Sequence, residues 1–309
     1  MLSGKRLRLV AAWTVIGATA YFFTKALVDN WHNLEGVDLG LDGWAIAGVL
    51  LFALAVVSSG MLWGNIVDSV SGRPIPGREA VRVQLLSWLL KYIPGQAGSY
   101  VSKIAWGVRH GYSKKLITIT FIYENAFLAI ASVALSLPIV VILLHDRVSE
   151  SLSSFLPALL IIPLVLVLNQ NVFYRVLNFV FGRLRGQSVD RDYFLSTGQL
   201  ATYTLKYAVP RLITAAAFLC VVASMIGVPA GAYVGLSAIY ILAGIIGLLA
   251  IFVPSGLGVR EGIIVLLASH YFPVEIAIAL SLAARLYATV ADGVLALVYA
   301  VMTRRKGAA

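Results

Sequence analysis

Acidic residues and cysteines are scarce in this chain of 309 residues. It has 14 Asp and Glu against 24 Lys and Arg, and all four types make up only 12% of the residues, whereas a soluble domain has about 25%. The single cysteine, Cys220, excludes an intramolecular disulfide. The four histidines, His32, His110, His145 and His270, lack metal-ligand spacing. Motifs for a hydrolase serine, paired carboxylates or a phosphate-binding loop are also missing, so we expect no cofactor.

Apolar residues dominate the chain instead. They form 60% of it, and its mean hydropathy is +0.89. Runs of about 20 apolar residues, the length that spans a bilayer, recur along the sequence. We therefore predict an all-α polytopic membrane protein with seven or eight crossings, built as a single transmembrane domain over residues 1–309. The predicted spans are approximately residues 9–28, 44–67, 116–144, 155–173, 201–226, 232–253 and 273–302.

The distribution of charge between the spans predicts the orientation. The loop over residues 29–42 holds four acids and no base, whereas Arg73, Arg78 and Arg82 follow the second predicted span. Because cytoplasmic loops of membrane proteins are rich in Lys and Arg, we expect the N-terminus to be cytoplasmic. The net charge of +10 has the same explanation, and we expect no nucleic-acid partner.

Two segments interrupt the apolar pattern in the same way. Residues 89–99 and 250–261 each carry an apolar approach, a proline, closely spaced glycines and then polar residues. A long apolar helix is predicted to start 19 positions after each proline, and Glu124 and Arg285 lie about 30 positions after it. We interpret residues 80–144 and 232–302 as a pseudo-repeat whose Pro/Gly breaks form re-entrant hairpins or half-helices. Matched breaks of this kind are the best sequence indication of a transport site.

The breaks also predict which residues bind substrate. Backbone N–H groups at a broken helix attract anions, and ionisable side chains at membrane depth are functional candidates. The alternatives are that each break is only a kink, or that Arg285 forms a structural pair with Asp292 or Glu124. The candidate substrate-binding residues are Lys91, Tyr92, Pro94, Gly95, Gly98, Ser99, Lys103, Glu124, Pro254, Gly256, Gly258, Arg260, Glu261, Arg285 and Asp292.

The side of the C-terminus depends on the second break. With residues 232–253 predicted to be a span, the basic tail lies outside if residues 255–272 re-enter as the first break does. If residues 255–272 cross, the tail is cytoplasmic, but 18 residues of helix give only about 27 Å. Both possibilities stay open at this point.

The two signatures together resemble one family. Residues 90–99 followed by Glu124, and residues 253–262 followed by Arg285 and Asp292, are similar to the lysylphosphatidylglycerol synthase transmembrane region, or flippase-like, family. The resemblance covers nearly the whole chain and implies a lipid-translocating domain in a prokaryotic inner or plasma membrane. We expect a stand-alone member, since the aminoacyl-transferase domain of two-part relatives is missing here.

We therefore expect a flippase or scramblase rather than an enzyme. Its substrate would be an anionic lipid, either a polyprenyl-phosphate-linked sugar or a modified phospholipid. Cationic side chains would hold the headgroup, and Glu124 and Glu261 would balance the charge. The alternatives are an integral-membrane transferase that uses a lipid-phosphate donor, and a non-catalytic partner of a glycan or lipid assembly complex. The expected partners are membrane lipid and a lipid- or glycan-synthesis enzyme, and the oligomeric state stays open.

Overall fold

The computed structural model describes residues 42–93, 97–143, 162, 168–185, 189–250, 256 and 258–304. Regular structure within these ranges is helical, with no strand. The α-helices are α1 (Gly43–Ser71), α2 (Gly77–Leu89), α3 (Ala97–Arg109), α4 (Lys114–Leu143), α5 (Gln170–Arg185), α6 (Thr197–Lys206), α7 (Ala208–Met225), α8 (Tyr233–Leu249), α9 (Val259–Ala268) and α10 (Val274–Arg304).

Four stretches of helix in the described ranges are long and apolar enough to cross a membrane. Three are the single helices α1, α4 and α10, and the fourth is Arg191–Met225, which includes α6 and α7. They correspond to the predicted spans at 44–67, 116–144, 201–226 and 273–302. The prediction of an all-α polytopic membrane architecture is confirmed for the described residues. The predicted span at 9–28 lies outside the described residues, as does most of that at 155–173.

The structure adds two details that the sequence did not predict. The span predicted at 201–226 is divided at Tyr207, where α6 ends and α7 begins. Residues 170–185, of which only 170–173 were predicted to belong to a span, form the amphipathic helix α5. This helix buries Phe173 and Leu177 against a cluster of buried aromatic side chains and leaves Arg175 exposed. The basic residues hid this periodicity, because they suggest a loop when apolar runs are the only criterion.

The first interrupted segment is an antiparallel helical hairpin of α2 and α3. The Ser99 hydroxyl donates to the Ser87 carbonyl at 2.7 Å near the tip, and Trp106 Nε1 donates to Glu79 Oε1 at 3.0 Å near the open end. Gly98 allows the close approach at the tip, since a Cβ there would lie 2.5 Å from the Leu90 carbonyl oxygen. Each helix has 13 residues, which gives about 20 Å.

The second interrupted segment is also an antiparallel hairpin, formed by α8 and α9. At its tip, Gly247 lies against Gly256 and Arg260, and a Cβ on Gly256 would be 2.7 Å from the Gly247 Cα atom. At its open end, Gly235 at the start of α8 lies against Tyr271, just after α9. Because α9 has only 10 residues, or about 15 Å, it is too short to span a bilayer alone.

The two hairpins open at opposite ends of the bundle. At one end, a buried cluster joins the starts of α1, α8 and α10 to the ends of α7 and α9, and includes Ala45, Val222, Ala232, Phe272 and Ala277. At the other end, a second cluster joins the end of α1 to α2, α3 and the start of α4, and includes Val67, Val83, Trp106 and Leu116. The C-terminal half of α10 packs beside α2, where Leu295, Tyr299 and Met302 contact the cluster of Val81 and Leu85. The last helix therefore runs toward the end where the first hairpin opens.

Candidate functional site

A cavity of about 230 Å³ lies where the tips of the two hairpins meet the middle of the long helices. The first hairpin contributes Lys91 and Ser99, and the second contributes Gly256 and Arg260. The walls come from α1, α4, α7, α8 and α10. Among the described residues, its ionisable lining comprises four cationic and two acidic side chains: Lys91, Arg211, Arg260, Arg285, Glu124 and Asp292.

The first break and the last helix are joined by an ion pair at the cavity wall. Lys91 lies in the short 3-10 turn Leu90–Tyr92 that ends α2, and its Nζ is 2.7 Å from an Asp292 carboxylate oxygen. Trp88 Nε1 donates to the same carboxylate at 2.7 Å, and the Lys91 ammonium lies 4.0 Å from the centre of the Trp88 ring. Asp292 is therefore held by two donors from the first hairpin, and it fixes the hairpin tip to α10.

Glu124 forms a second ion pair, which is more deeply buried than the pair of Lys91 and Asp292. Its carboxylate accepts hydrogen bonds from the Lys103 ammonium and from Gln84 Nε2, the latter at 2.8 Å. Lys103 is 0% exposed and Glu124 is 4% exposed, and the ammonium lies 4.4 Å from the centre of the Trp63 ring. Such a pair is stable in a low-dielectric interior only because each charge neutralises the other. Glu124 thus connects α4 to both helices of the first hairpin.

Arg285 pairs with the second hairpin. Its Nη1 is 3.7 Å from Glu261 Oε1, and the other oxygen of that carboxylate accepts a hydrogen bond from the Gly258 N–H at 2.8 Å. Glu261 therefore caps the start of α9, where we had expected free N–H groups to face a substrate. The alternative pairings of Arg285 with Asp292 or Glu124 are not those found, because Lys91 and Lys103 pair with these two carboxylates.

The two halves carry the same ion pair with the signs exchanged. In the first half, the short helix after the break supplies the cation, Lys103, and the long helix supplies the acid, Glu124. In the second half, the short helix supplies the acid, Glu261, and the long helix supplies the cation, Arg285. In both halves the pair joins the returning arm of the hairpin to the long helix that follows it.

Seven of the fifteen predicted site residues line the cavity. These are Lys91, Ser99, Glu124, Gly256, Arg260, Arg285 and Asp292. Four others support the site from behind: Gly98 allows the first hairpin to close, Lys103 neutralises Glu124, and Gly258 and Glu261 form the start of α9. Pro94, Gly95 and Pro254 lie outside the described residues, as does the side chain of Tyr92.

Sequence reasoning missed four residues of this region: Gln84, Trp88, Arg211 and Tyr240. Arg211 carried a usable signal, because it is an ionisable residue inside a predicted span. Gln84 and Trp88 carried none, since their roles depend on partners about 40 and 200 positions away. Tyr240 lies under the Arg260 guanidinium, with 4.4 Å between the guanidinium carbon and the ring centre.

Long apolar helices around a cavity with buried charges define an integral membrane protein with a polar internal site. The chain belongs to the lysylphosphatidylglycerol synthase transmembrane region family, whose model matches residues 7–296. This family is a membrane domain associated with lipid flippase and synthase activity. No curated protein matches the chain.

Proposed function

We propose that this protein moves the headgroup of an anionic lipid across the bilayer through the central cavity. The observation that carries the proposal is the cavity itself, in which four cationic side chains face two acidic ones where the two broken segments meet. A polar, cationic space between apolar helices would hold a phosphate group, while the acyl or prenyl tails stay in the surrounding lipid.

The arrangement of the hairpins supports this transport function. In our proposal both hairpins are re-entrant: that of α2 and α3 enters from the cytoplasmic side, and that of α8 and α9 enters from the outside. Each hairpin has arms of about 15–25 Å. Within each hairpin the open ends of the two arms are adjacent in space, and the tips of the two hairpins meet at the cavity. Oppositely oriented, broken repeats around a mid-membrane site are a common plan of secondary transporters.

This topology also supports a cytoplasmic C-terminus. When α8 and α9 enter and return together, α10 starts outside and crosses once, so the basic tail after Arg304 follows the positive-inside rule. The alternative topology, in which the C-terminus is on the external side, requires α8 to cross the whole bilayer. A reporter fused after Lys306 tests the assignment, and activity of a cytoplasm-dependent reporter is the expected result.

A transferase is the second function to be tested. It would need a carboxylate base beside the headgroup, and Glu124 and Asp292 are the acids that line the cavity in the described part of the chain. Each already accepts hydrogen bonds from a lysine and a second donor. Either carboxylate would have to lose these hydrogen bonds before it could act as a base, and this favours transport over transferase chemistry.

The test is reconstitution of the full chain in vesicles that contain a tail-labelled fluorescent anionic lipid, with a membrane-impermeant quencher outside. Gly244 lines the cavity, and the nearest atom to a Cβ there is Arg211 Nη1 at 3.9 Å. The Gly244→Trp variant should fill the cavity and reduce translocation to the level of protein-free vesicles. The matched control is Gly293→Trp, at an exposed glycine of α10 with open space around it, and it should transport normally.

Mass spectrometry of the vesicle lipids separates the other functions. A new lipid product without translocation would favour the transferase. Neither product nor translocation from the intact, folded protein would favour the non-catalytic partner. Equal translocation by Gly244→Trp and Gly293→Trp would mean that lipid crosses elsewhere on the protein.

A further inference from the structure

The two arginines of the cavity that face α8, Arg211 and Arg260, differ from its other cations. Lys91 and Arg285 each lie within ion-pair distance of a carboxylate, and so does Lys103 behind the wall. Neither Arg211 nor Arg260 has a carboxylate partner in the described ranges. The undescribed residues adjoining the second hairpin tip, 251–255 and 257, contain no acid. Among the described residues, two positive charges are thus left without a counter-charge at this wall.

One face of α8 holds both arginines. Tyr240, Gly244 and Gly247 are three or four positions apart and so share that face. The Arg260 guanidinium lies over the Tyr240 ring, and its side chain passes Gly247. Arg211 lies beside Gly244, and its buried Nε has no hydrogen-bond partner among the described residues. Gly244 therefore leaves room for the Arg211 guanidinium, and Gly247 leaves room for the base of the Arg260 side chain.

The Tyr240 ring offsets part of the cost of burying Arg260, but no carboxylate among the described residues neutralises either arginine. The two guanidinium groups repel one another. Arg211 also lies in the first turn of α7, where the helix dipole already favours an anion over a cation, and that turn has no acidic residue. A side chain stacked on an aromatic ring keeps the edge of its guanidinium plane available for bidentate hydrogen bonds. The free edge of Arg260 and the nearby Arg211 guanidinium together favour a doubly charged oxyanion in the cavity.

We propose that Arg211 and Arg260 form a subsite for a phosphate group that carries two negative charges, as in a lipid phosphomonoester or diphosphate. This inference rests on the proposed function and narrows the class of lipid that the protein transports. A lipid phosphodiester carries one charge and would leave one arginine unpaired. The ion pairs of Lys91, Lys103 and Arg285 connect the helices around the cavity. Arg211 and Arg260 select the headgroup by its charge.

The test compares two tail-labelled lipids with identical chains, phosphatidic acid and phosphatidylglycerol, in vesicles that hold the full chain at pH 8. A phosphomonoester has a second pKa of about 6, so at pH 8 it carries close to two charges. Wild type should translocate phosphatidic acid roughly tenfold or more faster than phosphatidylglycerol. In the double variant Arg211→Gln/Arg260→Gln the two lipids should be translocated at about equal rates. The phosphatidic acid rate should fall, and the phosphatidylglycerol rate should change much less.

Three controls make the result decisive. Arg183→Gln removes an exposed arginine of α5 and should keep the wild-type preference. Arg211→Lys and Arg260→Lys keep the charge but lose the bidentate geometry, so each should lower the preference partially; they replace the glutamine variants if those do not fold. Equal wild-type rates for the two lipids, or a preference that survives in the double variant, would overturn the subsite but leave transport intact. No translocation of either lipid by folded wild type would count against the proposed function itself.

Discussion

The buried Lys103–Glu124 pair gives a quantitative test of how the first hairpin is held. Both side chains are almost fully buried, and Glu124 accepts hydrogen bonds from Lys103 and Gln84. Glu124→Gln removes the negative charge and leaves the Lys103 ammonium buried without a counter-charge. Breaking one partner of a buried pair costs about 3–5 kcal/mol, so we expect Glu124→Gln to lose about that much of the free energy of unfolding.

The double variant Lys103→Met/Glu124→Gln should recover most of this loss. Methionine fills a similar volume without a charge, and the new amide oxygen of residue 124 still accepts the hydrogen bond from Gln84. Replacing both members of a buried ion pair by neutral groups is often neutral or stabilising. We therefore expect a coupling free energy of about 3 kcal/mol between the two sites, well above the ~0.5 kcal/mol limit for independent sites.

The assay is unfolding of the purified protein in mixed micelles by a denaturing detergent, followed by circular dichroism. Arg183→Gln is the control, and an exposed substitution of this kind should change the free energy of unfolding by no more than about 0.5 kcal/mol. A loss below about 1 kcal/mol in Glu124→Gln would refute the reasoning, because the ammonium would then be hydrated or otherwise neutralised.

Two other predictions concern the tips of the hairpins. Gly256→Ala should destabilise the protein by about 2–4 kcal/mol, since it combines a positive φ with a Cβ 2.7 Å from Gly247. Gly258→Ala, with positive φ but open space, should cost only about 1–2 kcal/mol, and equal costs in thermal unfolding would contradict the steric argument. Asp292→Asn should loosen the first hairpin tip by removing the counter-charge of Lys91, seen as faster proteolysis or hydrogen exchange there, and unchanged exchange would contradict that role.

The sequence predicted the membrane architecture because long apolar runs have few other uses. The spans that became α1, α4 and α10 were found to within a few residues, and the breaks were visible because proline and glycine interrupt those runs. Helix α5 was missed, since its apolar residues are too few to form a run and only their helical spacing marks them.

The composition of the candidate site was predicted better than its pairing. Lys91, Arg285 and Asp292 stood out as charges near or within apolar segments, and all line the cavity. Their partners did not follow from sequence, because Lys91 and Asp292 are brought together by the bundle across 201 positions. The spacing of i and i+7 on α10 made Arg285 and Asp292 look like a pair, but the ion pairs found join Asp292 to Lys91 of the first hairpin and Arg285 to Glu261 of the second.

The single cysteine of the chain allows a direct test of the central claim. In a Cys220→Ala background, Thr289→Cys places a thiol at an exposed position of the cavity wall, and Thr303→Cys places one on the same helix beyond the cavity. Both variants are folded, reconstituted and then modified with a negatively charged thiol reagent, and labelling is quantified by mass. The account predicts that modification at 289 reduces lipid translocation to the rate of protein-free vesicles, and that modification at 303 leaves it unchanged. Undiminished translocation after complete labelling at 289 would contradict the claim that the lipid headgroup crosses through this cavity.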